Sequence, residues 1–239
     1  MTTIACIPGL LCTRAVYDAF VASPSGHEKV AVLDLPDSDD FNAMARQIAD
    51  QIPDDCVLTG MSMGSYLALA ARQLRPQAIA GLVLIGTNAR ADTPEAAANR
   101  TKTVKFAQKA GMRALAGSLA DLMLSAGQRD NPTLRGQIAD MAEATGADVF
   151  ARHQHALATR PDQRAALHTI SCPVQVITGS EDAITPPAAG EEVALSVPQG
   201  VQAIIQGAGH LPLLEAPGQV AGLVRRFLAG LPRNDGLRT

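Results

Sequence analysis

Short apolar runs alternate with amphipathic segments along most of this 239-residue chain. The apolar runs have the length and composition of buried strands, and apolar residues at helical spacing fill several of the intervals between them. We predict strands at residues 3–7, 30–34, 56–60, 80–85, 173–178 and 201–206. We predict helices between them at residues 41–51, 65–74, 187–196 and 217–228. This alternation predicts an α/β protein with a mostly parallel sheet flanked by helices.

The alternation stops after the fourth predicted strand and resumes only at the fifth. The interval has helical periodicity and no convincing strand. Thr93-Pro94 and Asn131-Pro132 each have the form of a capping residue followed by the proline that a first helical turn tolerates. We therefore predict an inserted helical cap at residues 89–168, an α/β core at residues 1–88 and 169–231, and a flexible tail at residues 232–239.

One predicted cap helix has an apolar face. The residues of this face recur at helical spacing and are Met112, Leu115, Leu119, Leu122 and Met123. Such a face either packs on the core domain or roofs a substrate pocket. Most apolar residues of this kind belong to a core, so packing is the favoured interpretation for the majority of them.

A serine between two glycines marks the point where the third predicted strand gives way to a helix. The sequence there is Gly60-Met61-Ser62-Met63-Gly64. A serine on a sharp strand-to-helix turn needs neighbours without side chains, so that strand and helix can approach closely. Its hydroxyl lies at a helix start, where free N–H groups favour negative charge. The alternative is a glycine-rich connector with an incidental serine, and the flanking strand and helix patterns argue against it.

Residues further along the chain supply partners for this serine. A serine hydroxyl attacks at neutral pH when an imidazole takes its proton and a carboxylate orients that imidazole. Of the five histidines, only His210 follows a predicted strand directly, in the turn Gly207-Ala208-Gly209-His210. Glu181 and Asp182 follow the fifth predicted strand in the same way. The pattern thus predicts His210 as the base and offers two carboxylates to orient it.

Together these motifs resemble the α/β-hydrolase family, most closely its small capped esterases and enol-lactone hydrolases. The run 179–186 is similar to the acid loop of that family, Gly-x-x-Asp-x-x-x-Pro, and the resemblance identifies Asp182 rather than Glu181 as the acid. Ser62, Asp182 and His210 then follow the chain order of nucleophile, acid and histidine that is typical of the family. The resemblance covers nearly the whole chain.

The same resemblance implies an oxyanion hole made of backbone N–H groups. Its donors would be Leu10, in the loop after the first predicted strand, and Met63, the residue after the nucleophile. The family usually has His-Gly in that loop, whereas this chain has Pro8-Gly9. Because the donors are main-chain groups, the hole does not require that histidine, although an ordinary Pro-Gly turn would have the same sequence. For the substrate pocket we expect Leu11, Asn88, Met123 and Leu211.

Neither a metal site nor a cofactor site is predicted. The four cysteines lack metal-ligand spacing and are expected as buried thiols: Cys6, Cys12, Cys56 and Cys172. Cys12 follows the oxyanion loop, so it could also line the pocket. A helix would place His153 and His155 on different faces, which does not suit a shared metal. The chain has neither the glycine spacing of a dinucleotide loop nor the lysine of a P-loop.

Charge and hydropathy restrict the possible partners. The formal net charge of −3 comes without a basic stripe, so nucleic acid is not an expected partner. No apolar stretch has the length of a membrane span, and Met1-Thr2-Thr3 lacks the charged start of a secretion signal, so we expect a cytoplasmic protein. An acidic substrate group could contact one of four arginines, most of which we expect at the solvated surface: Arg90, Arg152, Arg160 and Arg164. The pattern predicts no oligomeric state.

The resemblance implies a serine hydrolase that acts on a small-molecule substrate. We expect it to cleave a carboxylic ester or lactone of a small, partly apolar substrate through an acyl-enzyme on Ser62. Thioesterases, carbon–carbon bond hydrolases, acyltransferases and hydroxynitrile lyases share the fold and triad, which do not choose among them. Some members act as ligand receptors with slow turnover, and the intact triad favours an enzyme. Dehalogenases and epoxide hydrolases of this fold are disfavoured because they need an aspartate at the position of Ser62.

Overall fold

The computed structural model describes residues 3–23 and 29–232. Its six strands are β1 (Thr3–Ile7), β2 (Lys29–Val32), β3 (Cys56–Met61), β4 (Ile79–Ile85), β5 (Val174–Gly179) and β6 (Gly200–Ile205). They form one sheet in the order β2-β1-β3-β4-β5-β6, in which every neighbouring pair is parallel. This arrangement confirms the predicted α/β class.

Helices cover both faces of the sheet. After a short 3-10 helix at Arg14–Tyr17, the helices of the core domain are α1 (Asp18–Val21), α2 (Phe41–Gln51) and α3 (Met63–Leu74). The helices between β4 and β5 are α4 (Pro94–Ala110), α5 (Met112–Met123), α6 (Pro132–Thr145), α7 (Ala147–Ala158) and α8 (Arg164–Leu167). The last helices are α9 (Pro187–Ser196), α10 (Pro212–Glu215) and α11 (Pro217–Gly230). Within residues 3–23 and 29–232, no helix is long and apolar enough to cross a lipid bilayer.

Predicted and observed elements differ mainly at their ends. Helices α2 and α9 have the predicted bounds, whereas α3 begins at Met63, two residues earlier than predicted. Strand β2 ends at Val32, although the Leu33 N–H still donates to the Cys6 carbonyl at 2.8 Å before the chain reaches Pro36. Of the predicted tail, residues 233–239 lie outside the described residues.

The inner strands β1, β3, β4 and β5 are buried almost completely because helices cover both faces of this parallel sheet, whereas the edge strands β2 and β6 are partly exposed. Alternate residues of β3 point to opposite sides: Val57 joins the core layer that contains residues of α1 and α11, and Leu58 joins the layer beneath α2 and α3. This two-sided burial explains why β3 is mostly apolar in the sequence, with Thr59 as its one polar side chain. It also holds the end of β3, where Ser62 follows, in a fixed position.

Helices α4 to α7 fill the interval 89–168 where the cap is predicted, and all of that interval is described; below, "cap" is used as a name for these residues. Thr93 caps α4 by accepting from the Ala96 N–H at 3.1 Å, and Asn131 caps α6 by accepting from the Thr133 N–H at 3.0 Å. The predicted apolar face of α5 is buried at Met112, Leu115 and Met123, in line with packing for most of its residues, whereas Leu122 is exposed. Its side chain is 46% exposed, because 3.6-residue periodicity carries it to the edge of the buried stripe.

Candidate active site

Ser62 lies on the turn between β3 and α3 in a strained backbone conformation. Its φ is 52° and its ψ is −118°, a region that side-chain-bearing residues rarely adopt. The Ser62 N–H donates to the carbonyl of Ile85, at the end of β4, at 2.8 Å. The neighbouring strand therefore holds the turn, which presents the serine side chain above the carboxyl edge of the sheet.

The two glycines of the turn are required by close backbone contacts. A Cβ atom at Gly60 would lie 2.3 Å from the Gly64 carbonyl oxygen, and a Cβ at Gly64 would lie 2.2 Å from the Ile7 carbonyl oxygen. Both distances are far inside van der Waals contact with main-chain atoms, which cannot move aside as a flexible side chain can. Hence β1, β3 and α3 meet closely enough to form this turn only when both positions lack a side chain.

The side chains of Ser62, His210 and Asp182 form a chain of hydrogen bonds. Ser62 Oγ lies 2.9 Å from His210 Nε2, and His210 Nδ1 lies 2.8 Å from Asp182 Oδ2. A proton on Nδ1 satisfies the carboxylate and leaves Nε2 free to accept from the serine hydroxyl. The structure thus brings together the three predicted side chains, which stand 148 and 28 residues apart along the chain.

The Asp182 carboxylate is buried, and both of its oxygens accept hydrogen bonds. Besides His210, it accepts hydrogen bonds from the backbone N–H of Ile184 at 2.9 Å and of Thr185 at 2.8 Å, and from the Thr185 hydroxyl at 2.8 Å. Burial by itself raises the pKa of Asp182. The charge of His210 and the hydrogen bonds from His210 and Thr185 outweigh burial and hold the pKa below its usual value. Asp182 is therefore an anion at neutral pH.

A glutamate links the histidine loop to the cap. Glu215 Oε1 accepts from the N–H of Gly209 at 2.9 Å, and Glu215 Oε2 accepts from the N–H of Ser125, just after α5, at 2.8 Å. The His210 N–H donates to the carbonyl of Met123 at 2.7 Å. The two successive N–H groups that precede the imidazole, those of Gly209 and His210, are thereby attached to the end of α5 and the residues that follow it.

Glu181, the other carboxylate after β5, has a different partner from Asp182. Its Oε2 accepts from the backbone N–H of Ala126 at 2.7 Å, also in the cap segment after α5. The two neighbouring carboxylates thus have different partners: Asp182 contacts the imidazole and Glu181 contacts the cap backbone. This division agrees with the choice of Asp182 as the acid.

A small cavity of about 80 Å³ opens beside Ser62. It is lined by Leu10, Met61, Ser62, Tyr66, Arg100, Met123, Leu157, Ile184, His210 and Leu211. Met123 and Leu211 are therefore placed where the sequence predicts them. Tyr66 lies four residues after Ser62, so helical spacing could have identified it. Arg100 comes from the cap, and no local pattern marks it.

Two residues expected in the pocket do not line this cavity. Leu11 is buried in the core, with a φ of 61° in the loop after β1. Asn88 lies one layer behind the wall, where its Nδ2 donates to the Tyr66 hydroxyl at 3.1 Å and its Oδ1 accepts from the Arg90 N–H at 2.9 Å. Both positions follow strand ends, but neither side chain reaches the cavity wall.

The backbone around the expected oxyanion hole adjoins the nucleophile. A Cβ atom built on Gly9 would lie 3.2 Å from the Ser62 Cβ, so the loop after β1 lies against the serine, and Leu10 lines the cavity. Met63 is the first residue of α3, and the first N–H groups of a helix have no partner within it. The local geometry is compatible with the two predicted donors.

Comparison with known proteins decides the family. A sequence model described as "Alpha/beta hydrolase family" matches residues 4–223, nearly the whole chain. The chain belongs to the α/β hydrolase family. Its sequence is 30% identical over 203 residues to a pimeloyl-[acyl-carrier protein] methyl ester esterase from Aromatoleum aromaticum, a match that covers 80% of each protein.

Solved structures agree with this assignment. A thermophilic esterase from Thermogutta terrifontis, solved with malate bound, has a TM-score of 0.87 and 28% identity to this hydrolase, with coverage of 96% of this chain and 90% of that one. The enol-lactonase from Burkholderia xenovorans LB400 has a TM-score of 0.83 at 22% identity, with coverage of 95% and 91%. At that identity the second comparison shows the shared fold alone.

The cysteines of this hydrolase are buried free thiols. Burial raises the pKa of Cys12 to about 12, partly opposed by a hydrogen bond from Gly9, so its thiol is protonated at neutral pH. Cys12 is also outside the cavity wall. Burial raises the pKa of Cys56 to about 11. Neither thiol competes with Ser62 as a nucleophile.

The four arginines that the sequence singled out form ion pairs in this hydrolase, and the two cap histidines have different surroundings. Four ion pairs join Arg90 to Glu192, Arg152 to Asp37, Arg160 to Asp92, and Arg164 to Asp162. His153 is buried against the Pro36 carbonyl, whereas His155 is exposed. Among residues 3–23 and 29–232, no three His, Cys, Asp or Glu side chains are grouped to hold a metal ion.

Proposed function

We propose that this protein is a cofactor-independent serine hydrolase that cleaves a carboxylic ester or lactone through an acyl-enzyme on Ser62. The observation that carries the proposal is the hydrogen-bonded chain from Ser62 Oγ through His210 to Asp182, with contacts of 2.9 and 2.8 Å. The names of similar proteins support it, since they include a methyl ester esterase and an enol-lactonase.

In the first half-reaction His210 acts as general base. Its Nε2 takes the proton of the Ser62 hydroxyl while Oγ attacks the substrate carbonyl, and a tetrahedral oxyanion forms. The N–H groups of Leu10 and Met63 would donate to that oxyanion, and such donors contribute about 3 kcal/mol each in other enzymes. The ionised Asp182 stabilises the imidazolium. His210 then returns the proton to the leaving alcohol, and the acyl group stays on Ser62.

The second half-reaction repeats these steps with water. His210 accepts a proton from a water molecule that attacks the acyl carbon, and it then protonates Ser62 Oγ as the acid departs. A lactone follows the same course, except that its alcohol remains part of the acyl group until the ring-opened hydroxy acid is released. The same residues therefore serve both substrate classes.

The cavity supports a small, partly apolar substrate. Its volume of about 80 Å³ is well below the roughly 300 to 1,000 Å³ that is usual for drug-sized ligands. Leucine, isoleucine and methionine side chains form most of its wall. A short acyl or alcohol group next to the scissile carbonyl would fit this space better than a long chain.

A substrate panel tests the proposal. Esters, lactones, thioesters and amides are assayed with the wild type, with Ser62→Ala and with Ser118→Ala, a cap serine outside the cavity wall. We expect turnover of esters or lactones that Ser62→Ala abolishes and Ser118→Ala preserves. Turnover that survives Ser62→Ala would refute the proposal. Preference for thioesters, transfer to added alcohols, or tight binding without turnover would favour the other activities of this fold.

Covalent labelling provides a second test of the nucleophile. A fluorophosphonate probe should label Ser62 in the wild type and in Ser118→Ala, because only an activated serine attacks phosphorus at a useful rate. Labelling should disappear in Ser62→Ala while the melting temperature stays close to that of the wild type. A labelled peptide that does not contain Ser62 would assign the nucleophile elsewhere.

A further inference from the structure

Arg100 is the cap residue that brings positive charge to the cavity beside Ser62. Of the described residues that line the cavity, it is the only one with a permanent charge; the others are apolar or are Ser62, Tyr66 and His210. The Arg100 side chain is 23% exposed. An apolar wall weakens screening by water, so a single guanidinium has a strong effect on what the cavity accepts.

The charge of Arg100 is not cancelled by its neighbours. Asp92 lies between Arg100 and Arg160 and forms an ion pair with each of them. Burial raises the pKa of Asp92, but the hydrogen bonds and charges of Arg100 and Arg160 outweigh it and leave the pKa below its usual value. Two guanidinium groups thus share one carboxylate, which leaves one excess positive charge.

Of the three charged side chains Asp92, Arg100 and Arg160, only Arg100 lines the cavity. The side chains of Asp92 and Arg160 are only 4% and 5% exposed. Arg160 is held by the carbonyls of Leu157 and Arg90, at 3.0 and 2.9 Å, and its guanidinium covers the Tyr66 ring at 4.8 Å. Arg160 is therefore buried against Tyr66 and does not itself line the cavity.

Arg100 also keeps free hydrogen-bond donors. Its Nε and Nη2 donate to Asp92, the latter at 3.2 Å, and its Nη1 donates to Gln154 Oε1 at 2.8 Å. A guanidinium has five N–H bonds, so two of the five have no partner among the described residues. A carboxylate that enters the cavity could accept from both of these donors.

We propose that Arg100 makes the site selective for esters or lactones that carry a second, anionic group, above all a carboxylate. This inference rests on the proposed function. The anionic group would lie against Arg100 while the scissile carbonyl lies at Ser62. A partly buried excess charge is stabilised by a counter-ion, and a substrate carboxylate supplies one. A neutral substrate of the same size gains nothing from Arg100.

Matched esters test this selectivity. Monomethyl esters of succinate, glutarate and adipate carry a free carboxylate, and their dimethyl esters are the neutral controls. We expect the wild type to prefer at least one monoester. Arg100→Gln should lower kcat/KM for that monoester by roughly ten- to hundredfold and change the diester little, because one charge-assisted pair is lost. Arg100→Lys should keep part of the preference.

A second cap arginine provides the matched control. Arg113 forms ion pairs with Asp140 and Glu143 on the cap surface and does not line the cavity. Arg113→Gln should leave the monoester preference unchanged. Equal losses on monoester and diester in Arg100→Gln would show a structural role for Arg100 and overturn the proposal. A wild type that prefers every diester would overturn it too.

Binding separates this inference from the proposed function. Calorimetry with Ser62→Ala, which does not need turnover, should detect the free dicarboxylate of the preferred monoester, and Arg100→Lys in the same background should weaken binding at least severalfold. Loss of all hydrolysis with this binding intact would refute the hydrolase and retain the anion site. Hydrolysis without charge-dependent binding would refute the anion site and retain the hydrolase.

Discussion

The carboxylate of Glu215 accepts the backbone N–H of Gly209, the residue before His210, at 2.9 Å. Its second oxygen accepts the N–H of Ser125 in the cap at 2.8 Å. One side chain therefore positions the histidine loop and attaches it to the cap segment that follows α5. Movement of that segment would move His210 relative to Ser62.

We expect Glu215→Gln to lower kcat roughly ten- to hundredfold, with a smaller change in KM. An amide has one acceptor oxygen for two N–H donors, so one donor loses its partner, at a cost of about 1–3 kcal/mol, and the imidazole shifts from its position. Steady-state kinetics and thermal unfolding measure both effects. Glu191→Gln, at an exposed position on α9, is the matched control. Wild-type kinetics in Glu215→Gln would show that Glu215 does not position His210.

Substitutions of the two neighbouring carboxylates should have unequal effects. Asp182→Asn should reduce kcat by roughly four orders of magnitude, because the amide favours the wrong tautomer of His210. Glu181→Gln should reduce it only mildly, since Glu181 contacts the Ala126 N–H and not the imidazole. Kinetics on one ester with both variants check this. A larger loss of activity in Glu181→Gln than in Asp182→Asn would identify Glu181 as the acid that orients His210.

The glycine after the nucleophile should be intolerant of a side chain. Gly64→Ala places a Cβ 2.2 Å from the Ile7 carbonyl oxygen, so we expect a loss of about 3 kcal/mol or more in the free energy of unfolding. Gly117→Ala is the control, because its Cβ meets nothing within 4 Å in α5 and should stabilise the helix slightly. Denaturant unfolding measures both. Equal stability of the two variants would contradict the close contact of α3 with β1.

Activity should decrease as the pH is lowered, because the base that accepts the serine proton must be neutral. Asp182 has a pKa below its ordinary value near 4, so it stays ionised at any higher pH and adds no second step there. A profile of kcat/KM against pH should therefore show one ionisation on its acid side. A chelator should leave the curve unchanged. Activity lost with chelator and restored by a divalent ion would contradict the proposed mechanism.

The buried histidine of α7 should make stability depend on pH. Burial lowers the pKa of His153, although the Pro36 carbonyl and Asp37 oppose this. The neutral imidazole is favoured in the folded state, so its contribution is complete above the unfolded pKa near 6.5 and is lost as pH falls toward the lower folded pKa. We expect the melting temperature to drop between about pH 7 and pH 5.

Two variants on the same helix check the source of that drop. His153→Gln keeps an N–H donor for the Pro36 carbonyl but does not titrate, so the drop in melting temperature should become smaller. The exposed His155→Gln should retain the wild-type drop. An unchanged drop in His153→Gln would assign the pH dependence to another group.

The sequence by itself determined most helices and strands and the order of the candidate catalytic residues along the chain. The bounds of α2 and α9, the turn at Ser62 and the caps Thr93 and Asn131 follow from contacts within a few residues, which local pattern encodes. The positions of the histidine and acid after their strands were also predictable, since carboxyl ends of parallel strands share one edge of a sheet.

Only the tertiary structure decided which side chains line the cavity and which loops the Glu215 carboxylate connects. Arg100 enters the cavity wall from the cap, Glu215 joins two loops that are 84 residues apart in the chain, and Leu11 turns into the core although it follows Leu10, which lines the cavity. Such contacts depend on how helices pack over the sheet and on the direction of each side chain at a turn. The spacing of residues along one element predicts neither the packing of the helices nor the direction of a side chain at a turn. Packing depends on contacts between surfaces that are distant in sequence.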